Sequence, residues 1–106
     1  MKESEFNDLV DETLLALERA IEDTSSEIDY ETTSGVLTLS FPDDSQIIIN
    51  RQAPLQQIWV AAKAGGFHLD FRGDKGVWYC AATEEDLLSM VSRLASAQLG
   101  ERLELR

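Results

Sequence analysis

Apolar residues recur at three- and four-residue steps near both ends of the chain and at two-residue steps between them. That pattern predicts a helix, a run of strands and a second helix, in that order. From Ser4 to Asp23, the residues Phe6, Leu9, Val10, Thr13, Leu14, Leu17, Ala20 and Ile21 fall on one wide face. Ser4 stands where an N-cap would, and the acids that follow suit the positive end of the helix dipole. At about 100° per residue, Asp11, Glu18 and Glu22 line up opposite the apolar face, with Asp8 and Glu12 on its flank. Asp23 sits at the C-terminal end, where the dipole disfavours an acid, and it stands close to Glu18 and Glu22. A modest local penalty is therefore built into the end of this helix.

After a Thr24-Ser25-Ser26 linker, the stretch Glu27 to Thr32 alternates, with Ile28, Tyr30 and Thr32 on one side and Glu27, Asp29 and Glu31 on the other. Thr33-Ser34-Gly35 is a turn, and Val36 to Phe41 is a second strand with Leu37, Leu39 and Phe41 inward. Pro42 to Ser45 turns into Ser45 to Gln52, where Ile47 and Ile49 oppose Ile48 and Asn50. Pro54 cannot donate to a ladder and marks a corner. Gln57 to Lys63 follows as a strand, then Ala64-Gly65-Gly66 as a turn and Phe67 to Arg72 as another strand. Gly73 to Gly76 turns into a short strand, Val77 to Cys80. Thr83 with Glu84, Glu85 and Asp86 resembles a cap and acidic first turn of a second helix, whose inward face is Leu87, Leu88, Met90, Val91, Leu94 and Ala95, extending to Gln98, with Gly100 as its C-cap. Leu103 and Leu105 are expected to fold back against the helices.

Two amphipathic helices need an apolar surface, and one sheet face supplies it. The expected fold is α+β, a two-layer sandwich with both helices on one face of a single antiparallel sheet of about five or six strands. Residues 1–106 are read as one domain.

Charge adds a strong bias. Nine basic residues against twenty acidic ones give a formal charge of -11, a field that repels nucleic acid and anionic lipid and attracts cations or basic protein surfaces. With 43% of residues hydrophobic, this charge belongs to a folded chain and not to a disordered acidic tail. The one cysteine, Cys80, cannot form an internal disulfide, which fits a reducing compartment. No apolar run is long enough to span a bilayer, and MKESEFNDLV lacks the regions of a signal peptide, so a cytoplasmic protein is expected.

Candidate chemistry lies in two places. Asp11, Glu18, Glu22 and Asp23 on the helix and Glu27, Asp29 and Glu31 on the next strand form an acidic ridge of hard oxygen ligands, suited to Fe(II), Fe(III), Mn(II) or Ca(II) but too open to hold them tightly. The plainer alternative is a solvated acidic face that keeps the chain soluble. The second place is a sheet surface bearing the amides of Asn50, Gln52 and Gln57, the Arg51 guanidinium and the Trp59 indole. If Ile58 and Val60 face the helices, Trp59 faces out, where an indole among amides is a protein-contact hot spot. His68 has no second His or Cys at ligand spacing and reads as a surface or partner-facing residue. Cys80 has no base near it in sequence and reads as a core residue. No Ser/His/Asp order, phosphate loop or zinc motif is present, so the chain is read as no enzyme.

SEF at residues 4–6, GVLTL at 35–39, IIINRQ-x-PL-x-Q-x-W at 47–59 and K-x-GG-x-H at 63–68, with the Trp78 strand and the closing helix, resemble the frataxin family, and within it the bacterial members. The resemblance covers essentially the whole chain and implies the same helix-sheet-helix fold. It also implies an accessory role in iron-sulfur cluster assembly, with iron bound weakly and with docking on a cysteine desulfurase and its scaffold protein. By position it makes Asp11, Glu12, Glu18, Glu22, Asp23, Asp29 and Glu31 the ridge, and Asn50, Gln52 and Trp59 part of the partner-facing sheet. A monomer with metal-dependent oligomers is expected. The chain departs from the family pattern at Arg19, at the short Thr24-Ser25-Ser26 linker and at Ala81 and Ala82. Two other classes are distinguishable: a small acidic secretion-type chaperone, which would form a stable dimer, and a ferroxidase, which would turn over Fe(II).

Overall fold

The computed structural model describes residues 1–106. Helix α1 (Glu3–Asp23) is followed by strands β1 (Asp29–Thr33), β2 (Val36–Ser40) and β3 (Gln46–Gln52), then a 3₁₀ turn at Ala53–Leu55. Strands β4 (Gln57–Ala62), β5 (Gly65–Arg72), β6 (Val77–Cys80) and β7 (Glu85–Asp86) lead into helix α2 (Leu87–Leu99). The strands form one antiparallel sheet in sequence order, seven strands wide. Each strand pairs with the next through a local connection, so no crossover is needed.

The period-2 alternation sets which face is buried. Leu37 pairs with Ile49, Ile49 with Val60, Ile58 with Leu69 and Phe71 with Trp78. These positions face the helices and meet Phe6, Val10, Leu14 and Leu17 of α1 and Met90, Val91 and Leu94 of α2. No polar or charged residue is buried in this core. All of the expected apolar face of α1 is buried or half-buried, because its spacing keeps those side chains on one stripe.

Both helices start elsewhere than the sequence suggests. The N-cap of α1 is Lys2, not Ser4, and its backbone N–H donates to Glu5 Oε1 at 3.0 Å. A glutamate three residues past the cap provides this reciprocal bond, whereas Ser4 would have Asn7 there. At the other end, Thr83 is no cap. Tyr79 pairs with Asp86 and Cys80 with Glu85, so the backbone of Glu85-Asp86 is taken up as an extra strand. The helix starts only at Leu87, and Asp86 caps it by accepting the Ser89 N–H at 2.8 Å. Gly65 and Gly66 belong to β5, opposite Ala62 and Ala61, and the turn falls on Lys63-Ala64.

The tail does fold back. Ser96 Oγ accepts from the Leu103 N–H at 3.0 Å and Ser92 Oγ from the Leu105 N–H at 2.9 Å. Each hydroxyl also donates within α2, to Ser92 O and Leu88 O. The serines thus strap an extended segment to the helix and leave Leu105 buried and Leu103 half-buried.

Ile49 is fully buried at the centre of the sheet, and Ile49→Ala should lower stability by about 2–5 kcal/mol. Leu15 on α1 is 48% exposed, and Leu15→Ala should stay within about 0.5 kcal/mol of the parent. Urea unfolding of the two variants measures the contrast.

Candidate functional site

The sheet face away from the helices carries a polar and aromatic strip. Asn50 pairs with Trp59 and Trp59 with His68, all on this face because Ile49, Val60 and Phe67 are turned the other way. The Trp59 indole lies flat against the His68 imidazole, with centroids 4.3 Å apart and planes 11° from parallel. Its Nε1 donates to Gln57 Oε1 at 2.8 Å, and Gln57 Nε2 donates to Asp70 Oδ1 at 3.1 Å. The indole is therefore held at a fixed angle, half-buried among amides, ready to give up little rotamer entropy to a partner. In the next row Gln52 pairs with Gln57, Gln57 with Asp70 and Asp70 with Tyr79. Arg72 covers the Tyr79 ring with its guanidinium carbon 3.9 Å from the centroid. Asn50, Gln52, Trp59 and His68 line none of the hollows in the surface, so this is a flat face.

Arg51 is not on it, contrary to the sequence reading. It shares the parity of Ile47 and Ile49 and points to α1, where Nη1 donates to Asn7 Oδ1 at 3.0 Å and Nη2 to Asp11 Oδ1 at 2.5 Å. The guanidinium also runs close over the β1–β2 turn. A Cβ on Gly35 would stand 3.2 Å from Arg51 Nη2, and Gly35 has φ +76°, so glycine suits the position on both counts. The strand alternation already contained this signal, since Arg51 is two residues from Ile49.

The acidic residues divide into two rows. Thr32 Oγ1 donates to Glu18 Oε2 at 2.6 Å, and the Tyr30 hydroxyl donates to Glu22. Tyr30 pairs with Leu39 and Thr32 with Leu37, so these contacts lie on the helix side of β1. Asp29 and Glu31 pair with Ser40 and Thr38 and lie on the opposite side, the face that carries Trp59. Glu12 and Asp23 are exposed, and Asp11 is paired with Arg51. Glu27 is exposed too but precedes β1, which starts at Asp29 and not at Glu27 as the alternation suggests. No three His, Cys, Asp or Glu side chains gather closely enough to hold a metal ion. The ridge is a set of open carboxylates on both faces of an edge strand and not an enclosed centre. Sequence reasoning missed the two hydroxyls that serve Glu18 and Glu22; the alternation put Tyr30 and Thr32 on one side, without showing that α1 would lie over them.

Cys80 is a free, buried thiol at the end of β6. No helix is long and apolar enough to cross a membrane.

Fold and surfaces together define a two-layer α+β protein whose polar chemistry lies on open surfaces, an amide-and-indole sheet face beside an acidic flank. Residues 1–101 match the Frataxin-like domain, and the chain belongs to the frataxin family. It is 45% identical over 104 residues to proteins of two Vibrio vulnificus strains, YJ016 and CMCP6, each named iron-sulfur cluster assembly protein CyaY, covering 98% of this chain and 98% of theirs. The solved frataxin of Psychromonas ingrahamii superposes with a TM-score of 0.90 at 33% identity, over 98% of this chain and 97% of that one. A trimeric frataxin from the yeast Saccharomyces cerevisiae, complexed with ferrous iron, superposes with a TM-score of 0.73 at 26% identity, over 88% and 87% of the two chains.

The hydrogen bond to Glu22 raises the pKa of Tyr30, with desolvation and the charges of Glu22 and Glu18 acting in the same direction. A raised folded value means that this contact helps the fold fully below the ordinary tyrosine range and is lost as pH climbs through the raised one. In Glu22→Gln the Tyr30 pKa should fall back toward the ordinary range. Ultraviolet titration of tyrosinate against pH reads it, with Tyr30→Phe to assign the signal.

Proposed function

We propose that this chain is a cytoplasmic, non-enzymatic accessory protein of iron-sulfur cluster assembly. It binds Fe(II) and Fe(III) weakly on its acidic flank and docks on a cysteine desulfurase and an iron-sulfur scaffold protein, as iron donor, modulator of the desulfurase, or both. The observation that carries this is the 45% identity, over 98% of the chain, to proteins named for iron-sulfur cluster assembly. The ferrous complex of the yeast relative supports iron as cargo, and its trimeric state supports a capacity to form oligomers.

The surfaces fit the roles. Exposed carboxylates bind hard and borderline cations with fast exchange, so other divalent ions can substitute for iron. That weakness suits a protein that must release its cargo. The same carboxylates, in a chain of charge -11, steer a basic partner surface into contact. Asn50, Gln52, Trp59 and His68 then offer a flat, desolvatable patch for the scaffold, with Trp59 as its anchor.

An anaerobic titration of the labelled protein with Fe(II), followed by two-dimensional NMR, tests the metal reading. Signals of Glu18, Glu22, Asp29, Glu31 and their neighbours should broaden first. Absence of any change at millimolar iron would remove iron from the function and leave docking. Replacing Glu18 and Glu22 together by lysine should weaken desulfurase binding with a steeper loss at low salt, because steering charges act within a Debye length of about 10 Å at 0.1 M salt. Unchanged affinity in that variant would exclude the flank as the docking site. Trp59→Ala should weaken scaffold binding by about 2 kcal/mol or more, roughly thirtyfold in Kd, measured by calorimetry on the assembled complex.

A further inference from the structure

The two edges of the sheet are unlike. β7 is two residues long and runs directly into α2. β1 is five residues long, DYETT, with every residue exposed except the half-buried Tyr30. Natural sheets blunt such edges with charged side chains, proline, a bulge or a cover. Asp29 and Glu31 give β1 the first of these, which opposes another acidic strand but not a basic one. β1 has neither lysine nor proline, and its register against β2 runs without a bulge from Asp29–Ser40 to Thr33–Val36.

The hairpin geometry says which backbone groups are free. Ser34 and Gly35 make a two-residue turn with φ of 52° and 76°, the type I′ pattern. In such a hairpin Thr33 and Val36 exchange both ladder bonds, and every second pair does the same: Glu31 with Thr38, then Asp29 with Ser40. The amide and carbonyl of Tyr30 and of Thr32 therefore point away from the sheet. Neither residue makes any backbone hydrogen bond outside the regular elements. They form a free antiparallel template along the sheet edge.

Charge selects what can use it. Glu18 and Glu22 stand on the helix side of the edge, bonded to the Thr32 and Tyr30 side chains, and Asp29 and Glu31 stand on the other side. A strand added here would place alternate side chains beside one row of carboxylates and then the other. A second copy of this chain would bring the same acids and the same net charge of -11, so pairing with itself is opposed. A lysine- or arginine-rich extended segment is favoured on both faces.

We propose that the free edge of β1 is a strand-addition site for a basic extended segment of a partner protein. The inference rests on the reading that this flank meets a basic partner and adds how it does so: backbone pairing gives register and lifetime, and carboxylates give selection. Iron on the flank and a strand on the edge would then compete for the same carboxylates.

The probe is a capped peptide alternating lysine with threonine and valine, compared with the same peptide N-methylated at every residue. Both carry equal charge, but the methylated one cannot donate to a strand. The unmethylated peptide should slow amide exchange of Tyr30 and Thr32, and bind at least about tenfold more tightly than its methylated form, the worth of one or two strand hydrogen bonds. Thr32→Pro removes an outward N–H without touching the ladder to β2, and should cost a similar factor. Thr32→Val, which loses only the hydroxyl bond to Glu18, should bind as the parent does. Equal binding of both peptides, with no protection at Tyr30 and Thr32, overturns the proposal, since charge alone would then hold the peptide. Protection of those amides by self-association without peptide overturns it too. Desulfurase binding kept in Thr32→Pro but lost in the Glu18, Glu22 lysine variant would retain the docking reading and reject strand addition. Desulfurase binding kept in both, with the edge still protected by the peptide, would do the reverse.

Discussion

The register between β3 and β4 is the constraint on which both layers depend. Ile49 opposes Val60 and Arg51 opposes Ile58, so the aliphatic residues of both strands face the helices together. A shift of one residue on either strand would turn that strand's apolar set to solvent. The corner holds the register. Pro54 sits in the 3₁₀ turn Ala53–Leu55, and Gln56 takes a left-handed conformation with φ 50°, closing the turn with its N–H on Ala53 O. Gln52 and Gln57 then pair directly across the base of the hairpin. The same register that fills the core sets Asn50 beside Trp59 on the other face. Core and candidate docking surface are two consequences of one pairing.

Electrostatics follow from the core being wholly apolar. With no charged residue buried, all of the excess negative charge is carried at the surface, and much of it lies along α1 and β1. Part of the crowding is relieved locally. Tyr30 and Thr32 donate to Glu22 and Glu18, and Arg51 draws on Asp11. The Arg51–Asp11 pair leaves the aspartate side chain 65% exposed, so its net worth is of the order of 0.2–1 kcal/mol. Asp29 and Glu31 have no basic partner among the ion pairs. The field that remains is a standing attraction for cations and basic surfaces, held at some expense in stability.

The fold was legible because its periods are clean. The apolar stripe of α1 and the alternation of the Leu37, Ile47 and Ile58 strands identify buried positions residue by residue. The outward direction of Trp59 follows from Ile58 and Val60 alone. What stayed hidden needed a neighbour distant in sequence. Thr83-Glu84-Glu85-Asp86 has the composition of a capped first turn, yet pairing with Tyr79 and Cys80 takes its last two residues into the sheet. Local capping preference lost to a ladder that no short window reveals. Arg51 was grouped with Asn50 and Gln52 by adjacency, although its parity matched Ile49. The acids looked like one ridge in sequence because the helix and the first strand are consecutive. Only the placement of α1 over one side of β1 separates Glu18 and Glu22 from Asp29 and Glu31.

That separation bears on how the surfaces can be used together. Glu31 pairs with Thr38 and Thr38 with Ile48, on the same sheet face as the Trp59–His68 stack. A partner lying flat on the sheet therefore reaches Asp29 and Glu31 without touching α1. One approaching the α1 side meets Glu18 and Glu22 first, with Tyr30 and Thr32 behind them. A cation held between the two rows would have to reach around the edge of β1, which disfavours a shared inner-sphere site and favours separate, weakly held ions. Two protein partners, by contrast, can occupy the two faces at once, since the strand between them keeps their contact residues apart. The edge itself is where they would meet, and its backbone is the one element that belongs to both sides.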